Sequence, residues 1–195
     1  LGWAHLQLNQ PDKATPYLQQ VLDKYPASPV AAECQYLIGE SARRRRDYAA
    51  ASAAFQKVGA KYPNSPFAAF AQQGLAFCQF DQKDYAAALE GFRAVTTRYP
   101  NSPAAAESRL RAADCLFHLK RYGEAAMAYE QVAGAGDQWA DEALYWLGVS
   151  HEQQQKPEAA RAAYEKLTSG NKPSPRRADA YLRLARLQVA AGQKE

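Results

Sequence analysis

Residues 47–66 read DYAAASAAFQKVGAKYPNSP, and residues 84–103 read DYAAALEGFRAVTTRYPNSP. The second stretch restates the first after 37 residues. Self-similarity at such a period marks an array of short units, each too small to bury its apolar face alone and therefore stacked on its neighbours. Working outward, Tyr-Pro-x-Ser-Pro occurs at Tyr25, Tyr62 and Tyr99. Tyr-Pro closes one helix, Ser supplies an N-cap acceptor, and Pro suits the first helical position, where a missing N–H costs nothing.

Between these signals each unit holds two helices. The first helices are expected at residues 29–44, 66–81, 103–118, 138–154 and 175–190, and the second at 47–61, 84–98, 122–133 and 157–168. Residues 1–9 read as the end of an earlier first helix, with 12–24 as its partner. Alanine is abundant and β-branched runs are absent, which favours helix throughout. The spacing predicts an all-α chain of about eleven helices in antiparallel pairs. The expected units are a partial repeat at 1–26, complete repeats at 27–63, 64–100, 101–136 and 137–172, and a terminal helix within 173–195.

Two stripes run through the copies. In the second helices a small residue (Ala14, Ala51, Ala88, Ala125, Ala160) precedes a large one by four (Leu18, Phe55, Phe92, Tyr129, Tyr164), and Val or Leu follows three later. Small residues let helices approach, and large ones fill the gap between them. The first helices carry a matching small site at Gly2, Gly39, Ala76, Ala113, Gly148 and Ala185. Glycine inside a helix costs about 1 kcal/mol relative to alanine, so these glycines are expected at contact points where the facing helix needs room.

The 195 residues are 47% hydrophobic and 23% charged, with a net charge of +4 and the two signs interspersed. That composition suits a packed core and offers no sustained field for nucleic acid. No apolar run reaches the ~18 residues of a membrane span, and no leader is visible. Leu1-Gly2-Trp3 begins inside a unit, so a fragment is expected, with compartment unreadable from the missing signal. Cys34, Cys78 and Cys115 lack zinc or redox spacing and are expected to be buried, reduced thiols.

The set Leu37-Ile38-Gly39, Tyr48, Ala51, Phe55, Val58 and Pro63 resembles the tetratricopeptide repeat, in a 37-residue version. The Tyr-Pro-x-Ser-Pro phrase further resembles bacterial envelope members such as the periplasmic Tol-Pal-associated and outer-membrane assembly lipoprotein families. The resemblance implies a right-handed α-solenoid whose first helices line a concave groove for peptides or partner proteins. It points to the periplasm or envelope, with the cytoplasm left open.

Projecting the face opposite the small site selects Tyr36, Glu40, Arg43 and Arg44, then Gln73, Phe77, Phe80 and Asp81. Leu110, Asp114, Phe117 and His118 follow, then Tyr145, Val149, Glu152 and Gln153. Phe77, Phe80, Phe117 and Tyr145 have two readings, packing under a neighbouring helix or forming a binding surface. Arg43-Arg44-Arg45-Arg46 complements a helix C-terminus or meets an acidic or phosphate-bearing partner. A carboxylate clamp of the kind some relatives use is disfavoured, because its Asn positions hold Glu40, Phe77 and Asp114.

The histidines His5, His118 and His151 lack a metalloprotease spacing, and no phosphate loop or nucleophile elbow is present. The sequence therefore suggests a non-enzymatic scaffold without cofactor or metal, whose partner is a protein or peptide, with no nucleic acid and no membrane insertion. Two other readings stand beside it: a structural spacer or self-association module, and an array accompanying an enzyme located elsewhere in a longer protein.

Overall fold

A computed structural model describes residues 1–8, 10–170 and 173–192. Among these residues there are eleven helices and no strand. They are α1 (Gly2–Gln7), α2 (Pro11–Lys24), α3 (Ala31–Arg44), α4 (Tyr48–Lys61), α5 (Phe67–Asp81) and α6 (Tyr85–Arg98), followed by α7 (Pro103–His118), α8 (Tyr122–Ala135), α9 (Ala140–Gln153), α10 (Pro157–Thr168) and α11 (Arg176–Ala190). The expected helix end at Asn9, the unit boundary at Lys172 and the last three residues of the terminal segment lie outside the described residues. No helix among the described residues is long and apolar enough to cross a membrane.

The chain divides into two compact units, one covering Leu1–Ser108 and the other beginning at Arg109 within α7. In the first unit α3 packs on α4 and α5, and α5 packs on α6; in the second, α9 packs on α8, α10 and α11. Loops this short between paired helices leave only an antiparallel return.

The stripes build the core as expected. Ala14, Ala51, Ala88, Ala125 and Ala160 are all fully buried, as are Phe55, Phe92, Tyr129 and Tyr164. Phe55 explains two glycines at once. A methyl group at Gly39 would come within 2.5 Å of its ring, and one at Gly74 within 2.6 Å. The ring fills a slot between a helix of its own repeat and one of the next, so α3 and α5 must both present bare backbone. Gly148 is similarly occluded by the Tyr164 ring, and Gly2 by Leu18. Burial raises the thiol pKa of the three free, buried cysteines, Cys115 up to about 12.

The repeated turn works slightly differently from the reading of its sequence. Ser65 and Ser102 hydroxyls accept from the N–H of Phe67 and Ala104 at 3.2 and 3.3 Å, and Ser28 accepts from Val30 at 3.4 Å. The serines thus cap, but regular helix begins only at Ala31 and Phe67 in the first two copies. The opening turn there closes i+3 bonds, Ala31 to Ser28 and Ala68 to Ser65, which are tighter than α-helical ones. Asp47 and Asp84 lie just outside their helices as N-caps and accept from Ala50 and Ala87 at 3.0 and 3.1 Å. The Tyr62 hydroxyl donates to the Pro26 carbonyl at 3.1 Å, so the turn motif also ties one repeat to the preceding one. Helix α8 extends two residues beyond its expected end because Gly136 supplies a left-handed cap at φ 67°.

A second periodic device follows four of the first helices, α3, α5, α7 and α9. Arg46, Lys83, Lys120 and Gln155 adopt φ of 62°, 65°, 60° and 59°. The next residue's N–H reaches five residues back, as in Asp47 to Ala42 and Arg121 to Leu116, a left-handed helix cap of the kind that favours glycine. Replacing any one of the four by glycine is expected to raise stability by about 0.5–1 kcal/mol. Urea unfolding of the four single variants checks this; a uniform loss would contradict it.

Candidate partner-binding faces of the first helices

In the first unit, α3 and α5 share a face built around Arg43. Its guanidinium bonds Glu40 at 3.3 and 3.4 Å, reaches Asp81 at 3.4 Å, and lies 5.4 Å from the Phe77 ring centroid. Phe77 meets Phe92 edge-on at 5.1 Å, and Phe80 meets Tyr85 edge-on at 5.2 Å. Both rings are half-buried: one edge packs on α6, and the Phe77 ring is overlaid by the Arg43 guanidinium. The two readings of these aromatics are therefore combined in the same side chains. Tyr36 belongs more to packing, with its ring 5.7 Å from Phe55 and 5.6 Å from Phe67. Burial first, and then the nearby Glu40 carboxylate, push its phenol pKa up.

The arginine run is not a free patch. Besides Arg43, Arg44 reaches the Leu6 carbonyl at 3.5 Å and Arg45 pairs with Asp12 at 3.2 Å. The run ties α3 to α1, α2 and α5, in addition to sitting at a helix C-terminus.

In the second unit the same register on α7 and α9 forms a cleft of about 100 Å³. Asp114 lies on its wall, accepting from the Tyr129 hydroxyl at 2.7 Å and from Arg111 at 2.8 Å. Burial nevertheless raises the Asp114 pKa, those two hydrogen bonds opposing the rise, and burial together with Asp114 pushes Tyr129 up. Phe117 and Trp146 meet edge-on at 5.3 Å across the cleft, and exposed His118 stands at its rim. Glu142 separates this cleft from a second one of about 530 Å³ beside Trp139 and Pro175. It lies 3.9 Å from Arg111 and 3.5 Å from Arg176. Arg111 lies over Trp139 at 5.6 Å, and Arg176 over Tyr145 at 5.2 Å. Glu152 accepts from the Tyr164 hydroxyl and from Arg183, both at 2.7 Å.

Five residues of the expected groove are placed inside instead. Leu110 is fully buried, Val149 and Tyr145 are buried, and Asp114 is buried against Tyr129. Gln73 is buried and donates to the Ala104 carbonyl at 3.3 Å and to Glu107 at 3.1 Å. These positions lie three before or one after the small site. The projection allowed for a single contact, the second helix, but first helices also pack on each other, α3 on α5 and α9 on α11. The buried arc is therefore wider, and the open face is turned by about one residue. Arg111, Trp146 and Arg183 lie two before the small site, a position the projection missed; their shared register and half-burial are the signal that finds them. Exposed or half-buried are Glu40, Arg43, Arg44, Phe77, Phe80, Asp81, Phe117, His118, Glu152 and Gln153.

No group of three or more His, Cys, Asp or Glu among the described residues could hold a metal ion.

Family profiles described as Tetratricopeptide repeat match residues 1–66 and 142–169. These two stretches are tetratricopeptide repeats. A profile described as Anaphase-promoting complex, cyclosome, subunit 3 matches residues 44–132 of the same repeat array. Among solved structures, MamA (41-end) from Desulfovibrio magneticus RS-1 is 20% identical with a TM-score of 0.70, covering 86% of this chain and 89% of that one. A tetratricopeptide repeat protein from Parabacteroides merdae ATCC 43184 is 14% identical with a TM-score of 0.75, covering 98% and 71%. BtubC from P. vanneervenii is 13% identical with a TM-score of 0.74, covering 97% and 84%. At such identities the likeness establishes the tetratricopeptide fold, an all-α solenoid of helix pairs. No curated protein matches the sequence.

Proposed function

We propose that this tetratricopeptide-repeat chain is a non-enzymatic protein–protein interaction scaffold that receives a peptide segment or partner protein on its first-helix faces. The supporting observation is the recurrence, in each unit separately, of a half-buried aromatic overlaid by arginine: Phe77 under Arg43, and Trp139 under Arg111. Aromatic and arginine side chains held rigid by their neighbours are those that carry most binding energy at protein interfaces. Their carboxylate partners Asp81 and Glu142 fix the guanidinium planes in advance, which lowers the ordering cost of binding.

Photo-crosslinking tests the face. A benzophenone residue at exposed Asp81 or His118 is expected to capture the partner, while the same probe at exposed Lys57 or Glu130 on the second helices is not. Capture only from Lys57 or Glu130 would overturn the assignment. The proposed setting, within a larger bacterial envelope or multidomain protein, rests on the Tyr-Pro-x-Ser-Pro resemblance; cell fractionation showing the full-length protein wholly in the cytoplasm would overturn the envelope part.

A further inference from the structure

One junction between repeats occurs twice within the first unit, and the two copies differ. In the first copy Leu22 of α2 is half-buried against the cluster of Leu6, Ala14, Leu18 and Cys34. Gln19 there donates to Asp23 at 2.8 Å, Gln35 is buried, and the Tyr62 hydroxyl donates to the Pro26 carbonyl at 3.1 Å. Thirty-seven residues on, the counterparts of Leu22, Gln19, Gln35 and Tyr62 are Gly59, Gln56, Gln72 and Tyr99. The second junction is open. Its groove of about 480 Å³ runs between α4, α5 and the end of α6, over Phe55 and Leu75.

Gly59 is what leaves it open. A methyl group there would meet no atom within 4 Å, whereas Gly2, Gly39, Gly74 and Gly91, the other helical glycines of the unit, each face a side chain within 3 Å. The same position in the other second helices holds Leu22, Thr96, Ala133 and Thr168, all half-buried. Glycine inside a helix is costly relative to alanine, and no contact within this chain accounts for that cost at Gly59. The polar groups of the groove are also unused. Among the described residues the side chains of Gln56, Asn64 and Gln72 and the Tyr99 hydroxyl have no hydrogen-bond partner, and Arg98 has no ion-pair partner.

These groups define what fits. A primary amide offers both donor and acceptor, the complement of a peptide group. An extended chain presents peptide groups unpaired within itself, while a helix has already paired its own. Arg98 is the one charged residue among the described residues lining the groove, and its guanidinium lies 5.8 Å from the Tyr99 ring centroid. It calls for a carboxylate.

We infer that this groove binds an extended acidic peptide segment of a partner protein. The segment's backbone pairs with Gln56, Asn64 and Gln72, an apolar side chain seats over Gly59 where Leu22 stands in the first junction, and an Asp or Glu side chain meets Arg98. The site is separate from the first-helix faces proposed above: Gln72 and Asp81, nine residues apart on α5, lie on opposite sides of that helix. Lys57 likewise projects away from Gly59 on α4, so this proposal and the crosslinking test fail independently.

The probe is a library of random peptides displayed on phage with blocked C-termini, depleted on Gly59→Leu protein and then selected on the intact wild-type chain. Depletion removes binders of every other face. The recovered peptides are expected to share an Asp or Glu, and fluorescein-labelled copies are expected to bind saturably in anisotropy titrations. Gly59→Leu and Arg98→Glu in the chain, and replacement of the shared acid by its amide in the peptide, are each expected to weaken binding by about tenfold or more. Lys57→Ala is expected to leave it unchanged. Recovery of no acidic peptide, or binding indifferent to Gly59→Leu or Arg98→Glu, overturns the proposal. Sedimentation showing self-association that Gly59→Leu abolishes also overturns it, by giving the groove to a second copy. Gly59 and Arg98 are both exposed, so neither substitution disturbs the core.

Discussion

Replacing Phe55 by alanine is expected to cost about 3–5 kcal/mol of folding stability, the range for emptying a buried aromatic site. Phe55 is fully buried and serves two interfaces, because its ring lies in the slot between Gly39 of α3 and Gly74 of α5 and also touches Tyr36. The helix backbones on either side cannot close the gap without carrying their repeats with them, so little of the cavity is recovered. A double-mutant cycle isolates the mechanism. Gly39→Ala alone puts a methyl group against the ring and is expected to destabilise; in the Phe55→Ala background the obstruction is gone and the same change is expected to be neutral or favourable, since alanine is the better helix former by about 1 kcal/mol. Urea unfolding of the four proteins measures the coupling. A Phe55→Ala loss below about 1 kcal/mol, or additive effects at the two sites, would show that the slot is not what holds α3, α4 and α5 in register.

Asp114→Ala is expected to cost about 3 kcal/mol, because it leaves the buried Tyr129 hydroxyl without its acceptor and takes the close carboxylate from Arg111. Asp114→Asn retains an acceptor for Tyr129 and is expected to lose much less. The pair also has a pH signature. Burial raises the Asp114 pKa in the folded protein, against the opposing hydrogen bonds from Tyr129 and Arg111, so the fold favours the protonated acid more than the unfolded chain does. That contribution is complete below the unfolded value of ~3.9 and is lost as pH rises through the folded one. Wild-type stability measured against Asp114→Asn, which does not titrate there, is therefore expected to improve as pH falls from neutral toward 4. A difference that is flat, or that worsens on acidification, would mean that pairing outweighs burial at this site.

Much of the architecture was legible because the information is local and repeated. Tyr-Pro-x-Ser-Pro marks helix boundaries from a few adjacent residues, and the small–large–aliphatic stripe of α4, seen again in α6, α8 and α10, assigns the core without knowledge of any partner helix. The glycine reading held for the same reason: a costly residue inside a helix implies a contact, and Phe55 and Tyr164 are those contacts. The left-handed caps at Arg46, Lys83, Lys120 and Gln155 were not legible, since none is glycine and the conformation is imposed by the turn that follows.

The candidate faces were only half legible. Phe77, Phe80 and Phe117 came from the sequence, whereas Leu110, Val149 and Gln73 were assigned to a surface and lie inside. Helical periodicity tells which residues share a side, but not how wide the buried arc is, because that depends on how many helices press on the element. By itself the sequence determined the helices, their pairing and their core stripes, all of which follow from spacing within one unit. Only the tertiary structure decided which way the first helices turn, and that Arg43 and Arg111 lie over aromatic rings. Those features arise between helices remote in the chain, where packing geometry rather than local pattern sets what touches what.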